Sequence, residues 1–253
     1  MVTHMLRLLR LVCMIVISVI ALMGSARISA QNILLRFVPM VQQRPLVLDS
    51  LMYQNHFAQL YSVTRFRWYC TDVRILGESA QERIADVILC DAEDSASLRV
   101  SATVPVSQGY SGVSFVIGVD SLRNCTGAQE GALDPINGMF WSWNSGYIFV
   151  KLEGYAPASS AQGKKLEYHI GGYRPPAICT RSVTLPFQTI SVADHSTVQI
   201  DIAVDVAQIL TQPHNINFQE RPVVTDFRYA QEMADNYQDM FRILAIKNIP
   251  LPR

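Results

Sequence analysis

The strongest structural signal in the sequence is the run VQIDIAVDV, residues 198–206, in which every second residue is apolar and both carboxylates fall on the opposite side. Side chains alternate between the two faces of a β-strand, so this period of two predicts a strand with one dry face and one wet face. Residues 148–153 (IFVKLE) alternate in the same way. Further strands are predicted, between clusters of Gly, Pro, Asn and Ser, at 65–76, 98–106, 113–119, 166–170 and 182–187.

One helix is expected near the C-terminus, where apolar residues recur at spacings of three and four and form a single stripe. These residues are Phe227, Ala230, Ala234, Tyr237, Phe241 and Leu244. Thr225 or Asp226 is placed to cap the start of such a helix. Many strands followed by one helix predict a mainly β fold, an antiparallel β-sandwich with a C-terminal helix.

The N-terminal residues have the pattern of a secretory signal peptide. Two arginines precede an uncharged, apolar run over residues 11–26. A membrane-spanning helix needs about 20 apolar residues, and this run is shorter. Small residues follow it, and a cut after either Ala26 or Ala30 fits them. We therefore expect a leader over residues 1–30 and a single exported domain over 31–253, secreted or periplasmic. An uncleaved membrane anchor is the alternative interpretation of the same run.

The charge of the exported domain argues against some kinds of partner. The full chain has 21 basic and 21 acidic residues, and the leader holds three arginines and no acid, which leaves 18 basic and 21 acidic residues, a formal charge of −3. Nucleic-acid binding needs a basic surface that displaces counterions, and the sequence shows none. No other segment is long and apolar enough to span a membrane. We expect neither a nucleic-acid partner nor a membrane span in the mature chain.

Four cysteines follow the leader: Cys70, Cys90, Cys125 and Cys179. An even number in an exported chain allows two disulfides, with three possible connectivities. No two cysteines form a CxxC pair, which argues against a zinc knuckle or a thioredoxin-like site. Structural disulfides are the leading interpretation, ahead of buried free thiols and of copper thiolates, and we expect at least one bridge.

The common enzyme signatures are missing from the sequence. It contains no HExxH, GxGxxG or GxSxG pattern, which would indicate a metalloprotease, a dinucleotide-binding domain or a serine hydrolase. A Ser-His-Asp triad stays open, because its members meet only in the folded chain. We expect a protein that is not an enzyme, with an uncharacterised hydrolase as the weakest alternative.

The residues with the most chemistry lie in 131–147 and in a nearby strand. In an extended segment Trp141 and Trp143 point the same way, either as large core anchors or as part of a site. On its predicted strand His169 shares a face with Glu167, and a neutral imidazole is a common ligand of soft metals. A lone histidine is also often a hydrogen-bonding residue, so both interpretations stay open.

Two blocks resemble the methanobactin-associated copper-binding protein family, the MbnP-like family. They are GALDPINGMFWSWNSGYIFVKLEG, residues 131–154, and YHIGGY, residues 168–173. Weaker matches follow the order of the family and extend the resemblance over nearly the whole mature chain. They are YQN at 53–55, TRFRWY at 64–69, IGVDS at 117–121 and ADNY at 234–237.

The resemblance implies an exported β-sandwich that carries or scavenges copper. In relatives a tryptophan is oxidised to kynurenine, which joins histidines in a mononuclear copper site, and a di-haem peroxidase-like partner is associated with the oxidation. Carried over by motif, Trp141 or Trp143 is the oxidisable residue and His169 is the matching imidazole. Some relatives place a histidine beside the oxidised tryptophan, whereas this block has none, so a second histidine ligand is not assigned. The alternative function is a metal-free β-sandwich module that binds a protein or a glycan.

We predict that the mature protein begins between Arg27 and Asn32, because small residues follow a short apolar run with a basic flank. N-terminal sequencing of the exported protein should find its first residue in this range, in the soluble fraction. Recovery of Met1 on membrane-bound protein would contradict the leader.

Overall fold

The computed structural model of the chain describes residues 30–50, 53–78, 80–105, 109–141, 146–190 and 196–250. Residues 1–29 of the predicted leader and Trp143 lie outside the described residues. The strands are β1 (Ala30–Val41), β2 (Arg44–Pro45), β3 (Tyr53–Gln54), β4 (Leu60–Gly77), β5 (Gln81–Asp91), β6 (Arg99–Pro105), β7 (Tyr110–Ile117), β8 (Phe140–Trp141), β9 (Gly146–Tyr147), β10 (Val150–Tyr155), β11 (Lys165–Ile170), β12 (Tyr173–Arg174), β13 (Ala177–Ile178), β14 (Arg181–Ile190), β15 (Ser196–Asp205), β16 (Val223–Val224) and β17 (Phe241–Pro250). The helices are α1 (Ser121–Cys125) and α2 (Ala230–Tyr237).

The first sheet has the strand order β17-β15-β1-β2, and β6 also pairs with β1. β15 (Ser196–Asp205) is the strand that the alternation of residues 198–206 predicts, and its Ile200, Ile202 and Val204 are fully buried. It pairs in parallel with β1 and antiparallel with β17. β1 and β15 are far apart in the chain, so no hairpin turn dictates their direction, and the sheet is mixed instead of purely antiparallel.

The second sheet is built around β4, the longest strand. Its order is β14-β7-β4-β10-β11-β16, and β3 and β5 also pair with β4. β4 pairs with β10 from Ser62 to Trp68 and with β7 from Cys70 to Gly77. Because side chains alternate along a strand, Phe66 and Trp68 of β4 point to one side, and Arg65, Arg67 and Tyr69 point to the other.

The two sheets pack face to face through aromatic side chains. The ring of Phe37 on β1 meets Trp68 edge to face, with 6.1 Å between centroids, and meets Phe115 at 6.0 Å. Phe66 stacks on Trp68 at 4.7 Å, and Phe241 on β17 contacts Phe115 at 4.8 Å. The mainly β sandwich predicted from the sequence is confirmed, as is the burial of Ile148 and Val150.

The C-terminal helix is shorter than the apolar stripe predicts. α2 spans Ala230–Tyr237, and the chain then enters β17 at Phe241. Phe241 and Leu244 therefore lie on a strand, because residues 241–246 (FRILAI) pair along β15, which supplies hydrogen bonds that a free helix end lacks. The predicted cap is also wrong: Asp226 accepts a bond from the amide of Arg228, ahead of the helix. No helix among the described residues is long and apolar enough to cross a membrane.

The cysteines do not form the predicted disulfide: all four that follow the leader are free in the structure. Cys70 and Cys90 lie on neighbouring strands but in diagonal register, since Cys70 pairs with Ile88 and Cys90 with Trp68. Burial raises the pKa of the Cys90 thiol, and neighbouring Cys70 raises it further. Buried free thiols, the second interpretation of the sequence, describe Cys70, Cys90 and Cys179, whereas Cys125 is exposed.

We predict that Ile202→Asp lowers the free energy of unfolding by at least about 3 kcal/mol, because an unpaired carboxylate would lie in an apolar layer. Urea denaturation of the purified domain measures the change. Leu244→Asp is the matched control on the neighbouring strand, since Leu244 is 41% exposed. An Ile202→Asp protein that unfolds at the urea concentration of the wild type would contradict the register of β15.

Candidate functional site

Residues 131–141, which end at Trp141, lie on the outer face of the second sheet. The hydroxyl of Tyr69, which points outward from β4, donates to the carbonyl oxygen of Ala132 at 2.9 Å. From β9, the hydroxyl of Tyr147 donates to the carbonyl oxygen of Leu133 at 2.9 Å. These two phenols hold the start of the segment, whose 3-10 turns leave few backbone bonds of its own.

Two cations hold the next part of the segment. The Nζ of Lys151 donates to the carbonyl oxygen of Gly138 at 2.5 Å, and Nη1 of Arg67 donates to that of Asn137 at 2.9 Å. Gly138 has a φ of 67°, a left-handed conformation that favours glycine. Lys151 is 8% exposed, and burial lowers the pKa of its ammonium, with Arg65 and Arg67 lowering it further. Four side chains thus donate hydrogen bonds to the backbone of this segment, and we call them the clamp: Tyr69, Tyr147, Lys151 and Arg67.

Trp141 follows the clamped residues and is nearly buried, at 7% exposure. Its ring packs over Gly171, where a Cβ would lie 2.3 Å from the carbonyl oxygen of Tyr147 and 2.8 Å from the indole Cζ3. A larger residue would therefore displace the Tyr147 backbone or the ring. The ring also meets Phe227 edge to face at 6.5 Å. Beside it is a cavity of about 100 Å³, lined by Trp141, Tyr147, Tyr173, Pro176 and Phe227 among others.

His169 lies on β11 directly opposite Lys151 on β10. Its Nε2 is 2.7 Å from Oε1 of Glu153, and its side chain is 16% exposed. Glu153 also pairs with Arg65, whose Nη1 is 3.1 Å from Oε2. The hydrogen bond from His169 and the charges of Lys151 and Arg65 lower the pKa of Glu153 to about 2, against the opposing effect of burial. This carboxylate is therefore ionised at neutral pH.

Two of the three predicted site residues, Trp141 and His169, are related in the structure through one glycine. Gly171, on which Trp141 packs, is two residues beyond His169 in the chain. The third, Trp143, lies outside the described residues. The remaining described imidazoles are elsewhere: His214 is 3.5 Å from Asp235 of α2, and His56 follows β3. Within the described ranges, no three His, Cys, Asp or Glu side chains are grouped to hold a metal ion.

Sequence reasoning missed the partners of His169 and the role of Asn124, which begins an N-x-T glycosylation pattern, NCT at 124–126. Glu153 and Lys151 are visible in the sequence as charges at alternate positions of KLEG, but only the strand register shows that they face His169. Asn124 is 1% exposed. Its amide donates to the carbonyl oxygens of Val119 and Asp120 and accepts from the amide of Tyr147. Its side chain is thus used to connect α1 with β9, and the folded chain offers no glycosylation site there.

We predict that Lys151→Met lowers the free energy of unfolding by about 1–3 kcal/mol, because the Gly138 carbonyl loses its donor and Glu153 loses a countercharge. Urea denaturation measures this loss, and faster amide hydrogen exchange in residues 132–141 should accompany it. Lys165→Met is the control: its ammonium pairs with Glu167 on the same face but is about half exposed, so the loss should stay below about 0.5 kcal/mol. Equal losses in the two variants would show that the clamp does not hold the segment.

Comparison with known proteins places the chain among its relatives. Residues 30–226 match the sequence model of the MbnP family. MbnP from Methylosinus trichosporium has a similar structure, with a TM-score of 0.51 and 15% sequence identity, over 74% of this chain and 80% of that chain. An identity this low shows a shared fold alone. No curated protein matches. Because the family match covers most of the sequence, this chain belongs to the MbnP family.

Proposed function

We propose that the protein is an exported, non-catalytic copper-binding protein, a carrier or scavenger. Its mononuclear site combines His169 with a kynurenine formed from Trp141 or Trp143. The observation that carries the proposal is the position of His169: its imidazole is held by the Glu153 carboxylate at 2.7 Å, two residues from the glycine on which Trp141 packs. Histidines that ligate metals commonly donate their other ring nitrogen to a carboxylate.

The tryptophan must be modified before it can serve as a ligand. The indole nitrogen is a donor only, because its lone pair belongs to the ring. Two equivalents of peroxide can insert two oxygen atoms across the C2–C3 bond and leave as two waters, which gives N-formylkynurenine. Hydrolysis then releases formate and leaves kynurenine. Its aryl amine and ketone are nitrogen and oxygen donors of the kind copper accepts.

The charges around His169 do not oppose a bound cation. Arg67 pairs with Asp91 at 2.7 Å and with Glu93 at 3.1 Å, and Arg65 pairs with Glu93 and Glu153. With Lys151 and the pair of Lys165 with Glu167, these residues make four cations and four anions, so the formal charge of the group is balanced. Further ligands come from the modified tryptophan and from residues that the sequence does not identify.

Export supports this chemistry, because the oxidation needs a compartment outside the reducing cytoplasm. The predicted leader would deliver the chain there, as a secreted or periplasmic protein. The partner in this proposal is a di-haem peroxidase-like protein, which removes electrons from the tryptophan and supplies them to peroxide. Copper is then the cargo of the mature protein and not a catalyst.

A metal-free β-sandwich module that binds a protein or a glycan is the second candidate. It is favoured by the packing of Trp141, which is nearly buried between Gly171 and Phe227 as a core anchor would be. In that case both tryptophans stay intact, and the aromatic cavity beside Trp141 is the surface to examine.

We predict that protein from its native compartment contains kynurenine in place of Trp141 or Trp143. Peptide mass spectrometry across residues 131–151 measures the conversion. Copper titration of His169→Ala should show weaker binding than the wild type, whereas His214→Ala, the matched imidazole control, should bind as the wild type does. Protein made without the oxidising partner should keep both tryptophans and bind copper weakly.

Two results would contradict this site. Intact tryptophans in native protein would exclude the kynurenine ligand, and an unchanged copper affinity in His169→Ala would exclude the imidazole.

A further inference from the structure

The hydrogen bond between His169 and Glu153 determines which imidazole nitrogen carries the proton. A neutral imidazole has one N–H and one unprotonated nitrogen, and its partner selects between them. Glu153 contacts Nε2 at 2.7 Å. Among the described residues, no other side chain or backbone group forms a hydrogen bond with the imidazole, so within these residues Glu153 makes this selection.

Glu153 accepts this bond and does not donate it. Its Oε2 receives a hydrogen bond from Arg65 at 3.1 Å, and the Lys151 ammonium is 3.9 Å from Oε1. A glutamate carboxyl ordinarily loses its proton well below neutral pH. The two cations stabilise the ionised form further, so Glu153 carries no proton at neutral pH. An ionised carboxylate only accepts hydrogen bonds. The proton in the bond therefore belongs to Nε2.

We propose that Glu153 is a positioning residue that keeps the His169 proton on Nε2 and thereby offers Nδ1 as the nitrogen that binds copper. This inference has two halves. The ligation half, that Nδ1 binds copper, rests on the proposed function, whereas the tautomer half, that the proton is on Nε2, concerns the metal-free protein alone. Metal-ligating histidines are oriented in this way by second partners, whose loss weakens metal binding by about 10- to 100-fold.

The same carboxylate also connects His169 with the tryptophan segment. Lys151 lies between Oε1 of Glu153 and the carbonyl oxygen of Gly138, at 3.9 Å and 2.5 Å. Gly138 is three residues before Trp141. Glu153 thus positions the imidazole directly and, through Lys151, the backbone that leads to Trp141. The imidazole and the modified ring can therefore be held in one arrangement before copper arrives, which lowers the ordering cost of binding.

The first test uses the metal-free, ¹⁵N-labelled exported protein at neutral pH. Long-range ¹H–¹⁵N NMR of the His169 side chain should show the Nε2–H tautomer in the wild type and a mixture in Glu153→Ala. Glu153→Gln should restore part of the Nε2–H form, because its amide oxygen can still accept. Glu167→Gln is the control, since Glu167 is the strand partner of Glu153 and pairs with Lys165 instead. It should keep the wild-type tautomer.

The second test adds Cu(I), which is diamagnetic, to protein purified from the native compartment. The Nδ1 resonance should shift while Nε2 keeps its proton, and Glu153→Ala should bind Cu(I) about 10- to 100-fold more weakly than Glu167→Gln.

Several results would overturn the inference. An Nδ1–H tautomer in the metal-free wild type, or an unchanged tautomer in Glu153→Ala, would show that Glu153 does not position the imidazole. Loss of the Nε2 proton on adding Cu(I) would show that copper binds Nε2 and not Nδ1. If Glu153→Ala does not fold, the wild type and Glu153→Gln still decide the tautomer. If the wild type binds no copper, the proposed function and the ligation half fail together, while the first test still judges the role of Glu153.

Discussion

The Lys151 ammonium is the contact on which the arrangement of the site depends. It lies nearly buried between the carboxylate of Glu153 and the carbonyl oxygen of Gly138. A buried charge is stable only when it is paired and hydrogen-bonded. Lys151 therefore needs the carbonyl oxygen of Gly138 as a partner, and the same hydrogen bond attaches residues 131–141 to the sheet. The same carboxylate holds His169. The buried ammonium of Lys151 thus connects the backbone of residues 131–141 with His169, the imidazole proposed to bind copper.

The sandwich makes this arrangement possible because the two faces of its longest strand, β4, have different roles. On β4, Phe66 and Trp68 point inward and pack against the first sheet, whereas Arg67 and Tyr69 point outward and bond to the backbone of residues 132–137. The aromatic core fixes the strand, and the fixed strand presents the outward side chains at set positions. The site is therefore built on rigid strands, although the segment it holds is irregular.

Sequence patterns were informative where one local rule decides the structure, and weaker where the register of distant strands decides it. The alternation of residues 198–206 identified β15 and its buried side, because a period of two is local. β1 was missed: it follows the predicted leader directly, and residues 33–41 (ILLRFVPMV) are apolar with little alternation and include a proline. The helix was overextended because Phe241 fits a helical stripe as well as a strand. His169 was identified by motif, but Glu153 only after β10 and β11 were paired.

Crystallography of the protein taken from its native compartment, with anomalous diffraction measured at the copper absorption edge, tests the central claim most directly. The claim is that the clamp holds a tryptophan-derived residue beside His169 and that copper binds between them. The account predicts one anomalous peak within bonding distance of Nδ1 of His169 and of a kynurenine at Trp141 or Trp143. Intact indole rings at both positions with no copper peak at His169, or a peak bonded to other residues, would contradict it.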